Sequence, residues 1–199
     1  MLKIGITGGI GSGKTTVARF FEYMFQVPIY YSDIQSKLLL QTDKELIQSV
    51  KKEFGEHIYI DGQLDRKSLA QIVFDNEQKL ALLNSLVHPA VERSFEQWCR
   101  PYESKPYILK EAALLFESGT YRNLDSVYTV SASEEIRIAR VAKRDSSTDA
   151  EVKARISKQW SEEQRNSHAQ GIIYNNDEEL LIPQLLQLHQ KWTASNKYI

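Results

Sequence analysis

The residues with the plainest chemistry lie near the start of the chain, in Gly8-Gly9-Ile10-Gly11-Ser12-Gly13-Lys14-Thr15. Their spacing is G-x-x-x-x-G-K-T, the pattern of a loop that cradles nucleotide phosphates. Glycines there let the backbone take conformations that a Cβ forbids, and let amide N–H groups approach phosphate oxygens. A helix starting at the loop adds unpaired donors and a partial positive charge. Lys14 is placed to reach the β- and γ-phosphates, Thr15 to ligate Mg²⁺ through its hydroxyl, and Thr16 to stand near the α-phosphate. Gly11, Ser12 and Gly13 supply the loop backbone. The bland alternative is a glycine-rich turn with an incidental lysine. The flanking segments argue against it.

Those segments are a strand and a helix. Leu2 to Ile6 is a short apolar run that reads as a buried strand, and Lys14 to Phe25 carries Val17, Phe20, Phe21 and Met24 at helical spacing. Val27 to Tyr31 reads as a second strand, with Pro28 near its start, where a missing N–H is tolerated. It runs into Ser32-Asp33. Ligands of open α/β sheets collect at the carboxyl ends of strands, so Asp33 is expected on the same sheet edge as the loop. One reading makes it a general base for a substrate hydroxyl. Ser32-x-x-Gln35 also reads as a capping box for a helix over Ile34 to Leu40, and the two readings are compatible.

The next stretch reads as mostly helical. Asp43 to Phe54 is amphipathic, with Leu46, Ile47, Val50 and Phe54 on one face and Gly55 to end it. His57 to Ile60 reads as a short extended piece closed by a turn at Asp61-Gly62. Asp65 precedes a helix to about Phe74, and another starts near Asp75-Asn76 with Leu80, Leu82, Leu83, Leu86 and Val87. His88-Pro89 is expected to interrupt it, because the residue before proline is steered away from helical geometry. The pattern resumes through Val91, Phe95 and Trp98. Residues 34–102 hold too much helix for one crossover, which suggests a helical substrate-binding insert. In it, Arg66 is a candidate clamp for a phosphate or carboxylate, and His88 a candidate ligand-binding or structural histidine.

Tyr107-Ile108-Leu109 reads as a fully buried strand that feeds two acids, Glu111 and Glu117. Either could hold Mg²⁺ through water. Asp125 to Ser131 is the next strand. Ser133, with Glu134 and Glu135 behind it, signals a helix start. That helix carries Arg137, Arg140 and Arg144 at spacings of three and four, a basic face able to neutralise transition-state charge. Two short helices, Ala150 to Trp160 with Arg155 and Glu162 to His168, resemble a mobile lid, so residues 140–168 are read as a lid region. Gly171 to Tyr174 is the last strand, ending at Asn175-Asn176. Asp177 is placed to cap a final helix over Glu178 to Ala194. The order of elements gives an α/β fold in three layers, with a five-stranded parallel sheet covered on both faces.

Composition sets outer bounds. The 199 residues suit one domain with a small insert. Twenty-five basic and 26 acidic residues leave a formal net charge of −1, which points to neither nucleic acid nor a membrane surface. One cysteine, Cys99, fits a reducing compartment. No run approaches the roughly 18 apolar residues of a membrane span, and the N-terminus does not read as a signal peptide. A cytoplasmic protein is expected. Oligomeric state is not legible.

A nucleotide loop does not name a reaction. The chain lacks the N-K-x-D guanine reader of regulatory GTPases, and no D-x-x-G follows a buried strand in the expected place. Small size, a helical insert, Asp33 and an arginine-bearing lid favour a small-molecule kinase. At this point the chain resembles the dephospho-coenzyme A kinase family, over nearly its whole length. The resemblance rests on Gly5 to Thr16, Ser32-Asp33, Phe54-Gly55, Asp61-Gly62-x-Leu64-Asp65-Arg66 and Ile72-Val73-Phe74. It continues through Leu83-Asn84-x-Leu86-x-His88-Pro89, Leu114-Leu115-Phe116-Glu117, Arg144-Asp145, Gln159 and Asn175. It implies a P-loop NTPase fold and ATP- and Mg²⁺-dependent phosphorylation of the ribose 3′-hydroxyl of dephospho-coenzyme A, the last step of coenzyme A synthesis. The rival reactions are a kinase for a nucleoside or nucleotide and a non-enzymatic nucleotide switch. By the same resemblance Asp33 is the base, and Arg66, His88 and Glu117 belong to the acceptor. Arg140 and Arg144 face the phosphates, and Asn175 lies near the adenine. The family usually has Asp-Ala-Asp where this chain has Tyr31-Ser32-Asp33, so the first acid is absent and the base remains. Ala113 stands where many members have proline, and Gln170 follows Ala169 where many have aspartate. Gln170 receives no role.

Overall fold

The computed structural model describes residues 1–74 and 76–195, with Ser195 by its backbone alone. The chain divides into two compact units, one of residues 1–31 and 99–199 and one of residues 32–98.

The first unit is built on a parallel sheet. Its strands are β1 (Leu2–Thr7), β2 (Ile29–Tyr31), β5 (Tyr107–Glu111), β6 (Ser126–Ser131) and β7 (Gly171–Tyr174). Their spatial order is β2-β5-β1-β6-β7, all parallel, with Ile6 opposite Glu111 and Tyr128. Strands buried on both faces are mostly apolar on both, and here the buried polar exceptions are Thr7, Lys110, Glu111, Thr129 and Ser131. On one face Ile4, Ile6, Leu109, Val130 and Ile173 meet Val17, Ala18 and Phe21 of α1 (Lys14–Phe25) and Leu185 and Trp192 of α9 (Leu181–Ser195). Trp192 is the hub, with ring centroids 5.2 Å from Phe21, 5.3 Å from Tyr107 and 4.9 Å from Tyr128. Such contacts contribute about 0.5–1.5 kcal/mol each beyond area burial. On the other face Val127 joins Ala112, Leu115 and Phe116, with Trp160 packed against them. Next to the sheet, α6 (Glu134–Asp145) and α7 (Asp149–Ile156) share an apolar cluster of Ile138, Val141 and Val152, on which Ile10 packs. The short α8 (Glu162–His168) precedes β7.

The second unit holds α2 (Ser32–Thr42), α3 (Lys44–Phe54), a two-stranded hairpin of β3 (Tyr59–Ile60) and β4 (Gln63–Leu64), α4 (Arg66–Phe74) and most of α5 (Glu77–Cys99). The amphipathic reading of α3 holds: Leu46, Val50 and Phe54 are buried, and Asp43 caps it by accepting from the Leu46 N–H at 2.9 Å. Asp61 and Gly62 both have positive φ, as a two-residue hairpin turn of this hand demands.

Several local expectations are corrected. α5 runs unbroken through His88-Pro89. An interior proline removes one hydrogen bond and costs about 3 kcal/mol, but buried Val87, Ala90, Val91 and Phe95 anchor the helix on either side of it. Tertiary packing outweighs the local break. Ser32 is itself helical and its buried hydroxyl has no hydrogen-bond partner, so the Ser32–Gln35 capping box is not formed. α7 stops at Ile156, short of Trp160. The final helix begins at Leu181, and Asp177 sits in a left-handed conformation instead of capping it. Met24, Leu80 and Leu82 are exposed although their spacing placed them on apolar faces. Asp75, one of the expected helix-start residues, lies outside the described residues. Among the described residues, no helix is long and apolar enough to cross a membrane.

Candidate active site

The candidate site lies in the first unit, where the carboxyl ends of β1, β5 and β6 meet the loop between β1 and α1. The local sequence explains the loop's shape. The Ser12 N–H donates to Gly9 O at 3.1 Å, closing a turn whose third residue, Gly11, has φ +80. Gly13 then takes φ +93 as the residue before α1, and a Cβ there would collide with the Asn175 side-chain amide. Only glycine meets both demands. The first i→i−4 bond of the helix runs from Val17 N–H to Gly13 O, so the amides ahead of it have no partner within the helix.

Those amides border a cavity of about 370 Å³, lined by Gly11, Gly13, Lys14, Thr15 and Thr16, with Arg19 of α1 and Arg140 and Arg144 of α6. Its charged lining is cationic, which suits a polyanion. Beside it the last residue of β5, Glu111, is nearly buried. Its Oε1 accepts from the Thr15 hydroxyl at 3.3 Å and lies 3.8 Å from Lys14 Nζ. Thr15 Oγ1 and Glu111 Oε1 are adjacent hard oxygen donors. That pair suits Mg²⁺, which keeps most of its waters and takes one or two protein ligands.

The arginines of α6 part company. Arg140 donates to Asn175 O at 3.0 Å and to Asp177 Oδ1 at 2.9 Å, while the Asn175 side-chain amide donates to Ser12 O at 2.8 Å. The exit of β7 is thereby tied to both the loop and α6. Arg144 forms a two-pronged pair with Asp145 at 2.7 and 3.0 Å, and Arg155 of α7 adds a bond to the same carboxylate at 2.7 Å. These hydrogen bonds hold the Asp145 carboxyl far below the ordinary range, and the same pairing raises Arg144.

Arg137, expected on the same basic face, does not line the cavity. It is buried with Arg165 against Gly9, in a cluster balanced by acids. Glu162 lies 4.0 Å from Arg137 Nε and accepts from the Ser131 hydroxyl. Arg165 donates to Trp160 O, and Glu117 Oε1 accepts from the Trp160 N–H at 3.2 Å. Burial, and then the neighbouring Arg137, pull the Arg165 pKa down, while Glu117 and Glu162 oppose the shift. Gln159 Oε1 accepts from the Ile10 N–H at 2.9 Å.

The structure thus brings together Gly11, Ser12, Gly13, Lys14, Thr15, Thr16, Glu111, Arg140, Arg144 and Asn175. Glu117 is joined to the same unit through Trp160. Asp33, Arg66 and His88 belong to the second unit. Asp33 is exposed in the first turn of α2, Arg66 is exposed at the start of α4, and His88 is half-buried within α5. Sequence reasoning missed Arg19, although Thr15 and Arg19 are four residues apart on one helix face. It also missed Arg165, whose partners come from tertiary packing alone. At the positions that depart from the family pattern, the Tyr31 hydroxyl donates to Glu22 at 2.8 Å, and burial with that bond raises its pKa. Gln170 bonds Val127 through both its side chain and its main chain.

Comparison with known proteins gives the same direction. The family model described as dephospho-CoA kinase matches residues 2–180. A dephospho-CoA kinase of Bacteroides fragilis is 37% identical over 94% of this chain and 91% of its own length. One from Chlorobium chlorochromatii is 36% identical over 96% and 93%. Among solved structures, a Thermus thermophilus protein superposes with a TM-score of 0.81 at 30% identity, covering 98% of this chain and 97% of its own. Dephospho-CoA kinase from Campylobacter jejuni does so with a TM-score of 0.71 at 22% identity, covering 98% of each chain, a likeness of fold. With a sequence match over nearly its whole length and a cationic cavity around a glycine-rich loop, the chain belongs to the dephospho-CoA kinase family.

Proposed function

We propose that this protein transfers the γ-phosphoryl group of ATP to the ribose 3′-hydroxyl of dephospho-coenzyme A, giving coenzyme A and ADP. The observation that carries the site assignment is the cavity lined together by Gly11, Gly13, the first residues of α1, Arg140 and Arg144. Phosphoryl transfer asks the protein mainly for positioning and charge neutralisation. The loop amides of Gly11 and Gly13 and the start of α1 cradle the phosphates, with Ser12 holding the loop to Asn175. Lys14 reaches the β- and γ-phosphates, and Thr16 stands by the α-phosphate. Arg140 and Arg144 face the charge that spreads over the transferred group, and Asn175 marks the adenine side.

Thr15 and Glu111 would hold Mg²⁺, which would offset the negative charge of the nucleotide phosphates. Asp33, two residues past β2, takes the proton of the attacking hydroxyl. Arg66, His88 and Glu117 bind the acceptor. Residues 34–102 serve as the acceptor-binding insert and 140–168 as a lid. The single cysteine, Cys99, supports a cytoplasmic setting. No role for nucleic acid or a membrane is proposed.

A coupled ADP-release assay with ATP, Mg²⁺ and a panel of acceptors tests the reaction. Turnover that depends on dephospho-coenzyme A is expected. Turnover of nucleosides or nucleotides instead, or slow hydrolysis indifferent to every acceptor, overturns it.

A further inference from the structure

From Ile10 to Thr16 the residues of the loop and the first turn of α1 fall into two groups. Gly11, Gly13, Lys14, Thr15 and Thr16 line the cavity. Ile10 and Ser12 do not, and their N–H groups are taken up by the protein: Ser12 donates to Gly9 O at 3.1 Å, and Ile10 donates to Gln159 Oε1 at 2.9 Å. The first bond belongs to the turn itself. The second comes from a side chain 149 positions away.

We propose that Gln159 is a positioning residue of the nucleotide site, deciding which loop amides face the phosphates by accepting the Ile10 N–H. The proposal rests on the nucleotide-binding part of the reading above. Without that acceptor a partly buried N–H is left unpaired, a state that folded proteins rarely keep. One relief is rotation of the Gly9–Ile10 peptide, which glycine on its N-terminal side eases, and which also takes Gly9 O away from the Ser12 N–H that closes the turn. Such a rotation displaces Gly11, which lines the cavity. Gln159 is itself well held. Its own N–H donates to Ile156 O at 3.0 Å, and the next residue, Trp160, is fixed by Glu117 and Arg165 and stacks on Phe116 with centroids 6.0 Å apart. An acceptor on a rigid support is what a preorganised site requires.

The test uses Q159L, which keeps bulk and loses the acceptor, and Q159E, which keeps an acceptor. Two quantities are read in the intact protein without any phosphoryl acceptor: hydrogen exchange at the Ile10 amide and the affinity for ADP with Mg²⁺. Q159L is expected to expose the Ile10 amide to exchange and to weaken ADP binding about tenfold, the effect of losing one hydrogen bond of ~1.4 kcal/mol. Q159E is expected to lie closer to wild type in both. Near-wild-type ADP affinity in Q159L despite free exchange at Ile10, or a Q159E variant as defective as Q159L, overturns the proposal. Should Q159L not fold, Q159M carries the same comparison with the same outcomes. Neither readout involves dephospho-coenzyme A, so a wild-type protein that fails to phosphorylate it counts against the proposed reaction alone.

Discussion

At the scale of single residues, the chemistry concentrates on a few side chains whose surroundings set what they can do. Lys14 lies in the cavity, 3.8 Å from the Glu111 carboxylate. Lys14→Ala is expected to cost about 3 kcal/mol or more in kcat/KM, the scale of losing one strong electrostatic donor. Steady-state kinetics with ATP as the varied substrate checks this, and an unchanged rate would remove the loop from the mechanism. Asp33→Asn is expected to lower kcat by roughly 10²–10⁴-fold, the range of a lost general base, with ADP affinity retained. Turnover near wild type would reassign the base. Lys14 and Thr15 were legible because loop and helix start are contiguous in sequence. Glu111 was legible only as one of two candidate acids. Pairing of β5 with β1 in register, Ile6 opposite Glu111, is what brings it within reach of Thr15.

At the scale of elements, the junction of α6 and α7 is held by one carboxylate shared between two arginines. Asp145 has a folded-state pKa far below its ordinary 3.8, chiefly through hydrogen bonds from Arg144 and then Arg155. A depressed acid stabilises the fold fully above its unfolded value and loses that contribution as the pH falls through the folded one. Asp145→Asn is therefore expected to lower Tm at pH 7, with the gap to wild type closing only as the pH drops below 3.8. Thermal melts across that range decide it, and a gap that stays constant with pH would show that the clasp acts by shape alone. The same scale explains the failures of local reading. His88-Pro89 reads as a break and Ser32 as a cap because local rules see a few neighbours. α5 is held across its proline by the buried Val87, Ala90, Val91 and Phe95, and Ser32 already lies inside α2.

At the scale of the whole first unit, α9 closes the core laid down by β1 and α1. His189 stacks on Phe25 with ring centroids 3.8 Å apart, and its Nδ1 lies 2.7 Å from the Tyr107 hydroxyl. Burial lowers its pKa below the ordinary 6.5. The neutral ring's contribution is complete above pH 6.5 and is lost as the pH falls through the lower folded-state value. Tm of the wild type should thus fall more between pH 7 and pH 5 than that of His189→Gln, which cannot titrate there. Equal falls would place the acid sensitivity elsewhere.

By itself the sequence determined the fold class, the parallel sheet, the loop and the family, because these depend on periodicity and on motifs whose parts are neighbours along the chain. Only the tertiary structure decided where the polar groups of distant segments meet. It sent Arg137 behind Gly9 and left Arg140 and Arg144 in the cavity, and it paired Arg165 with Trp160 O and Gln159 with the Ile10 N–H. The physical reason is that an apolar face is written in the spacing of one segment. A buried hydrogen bond is written in two segments at once, and only packing selects the pair.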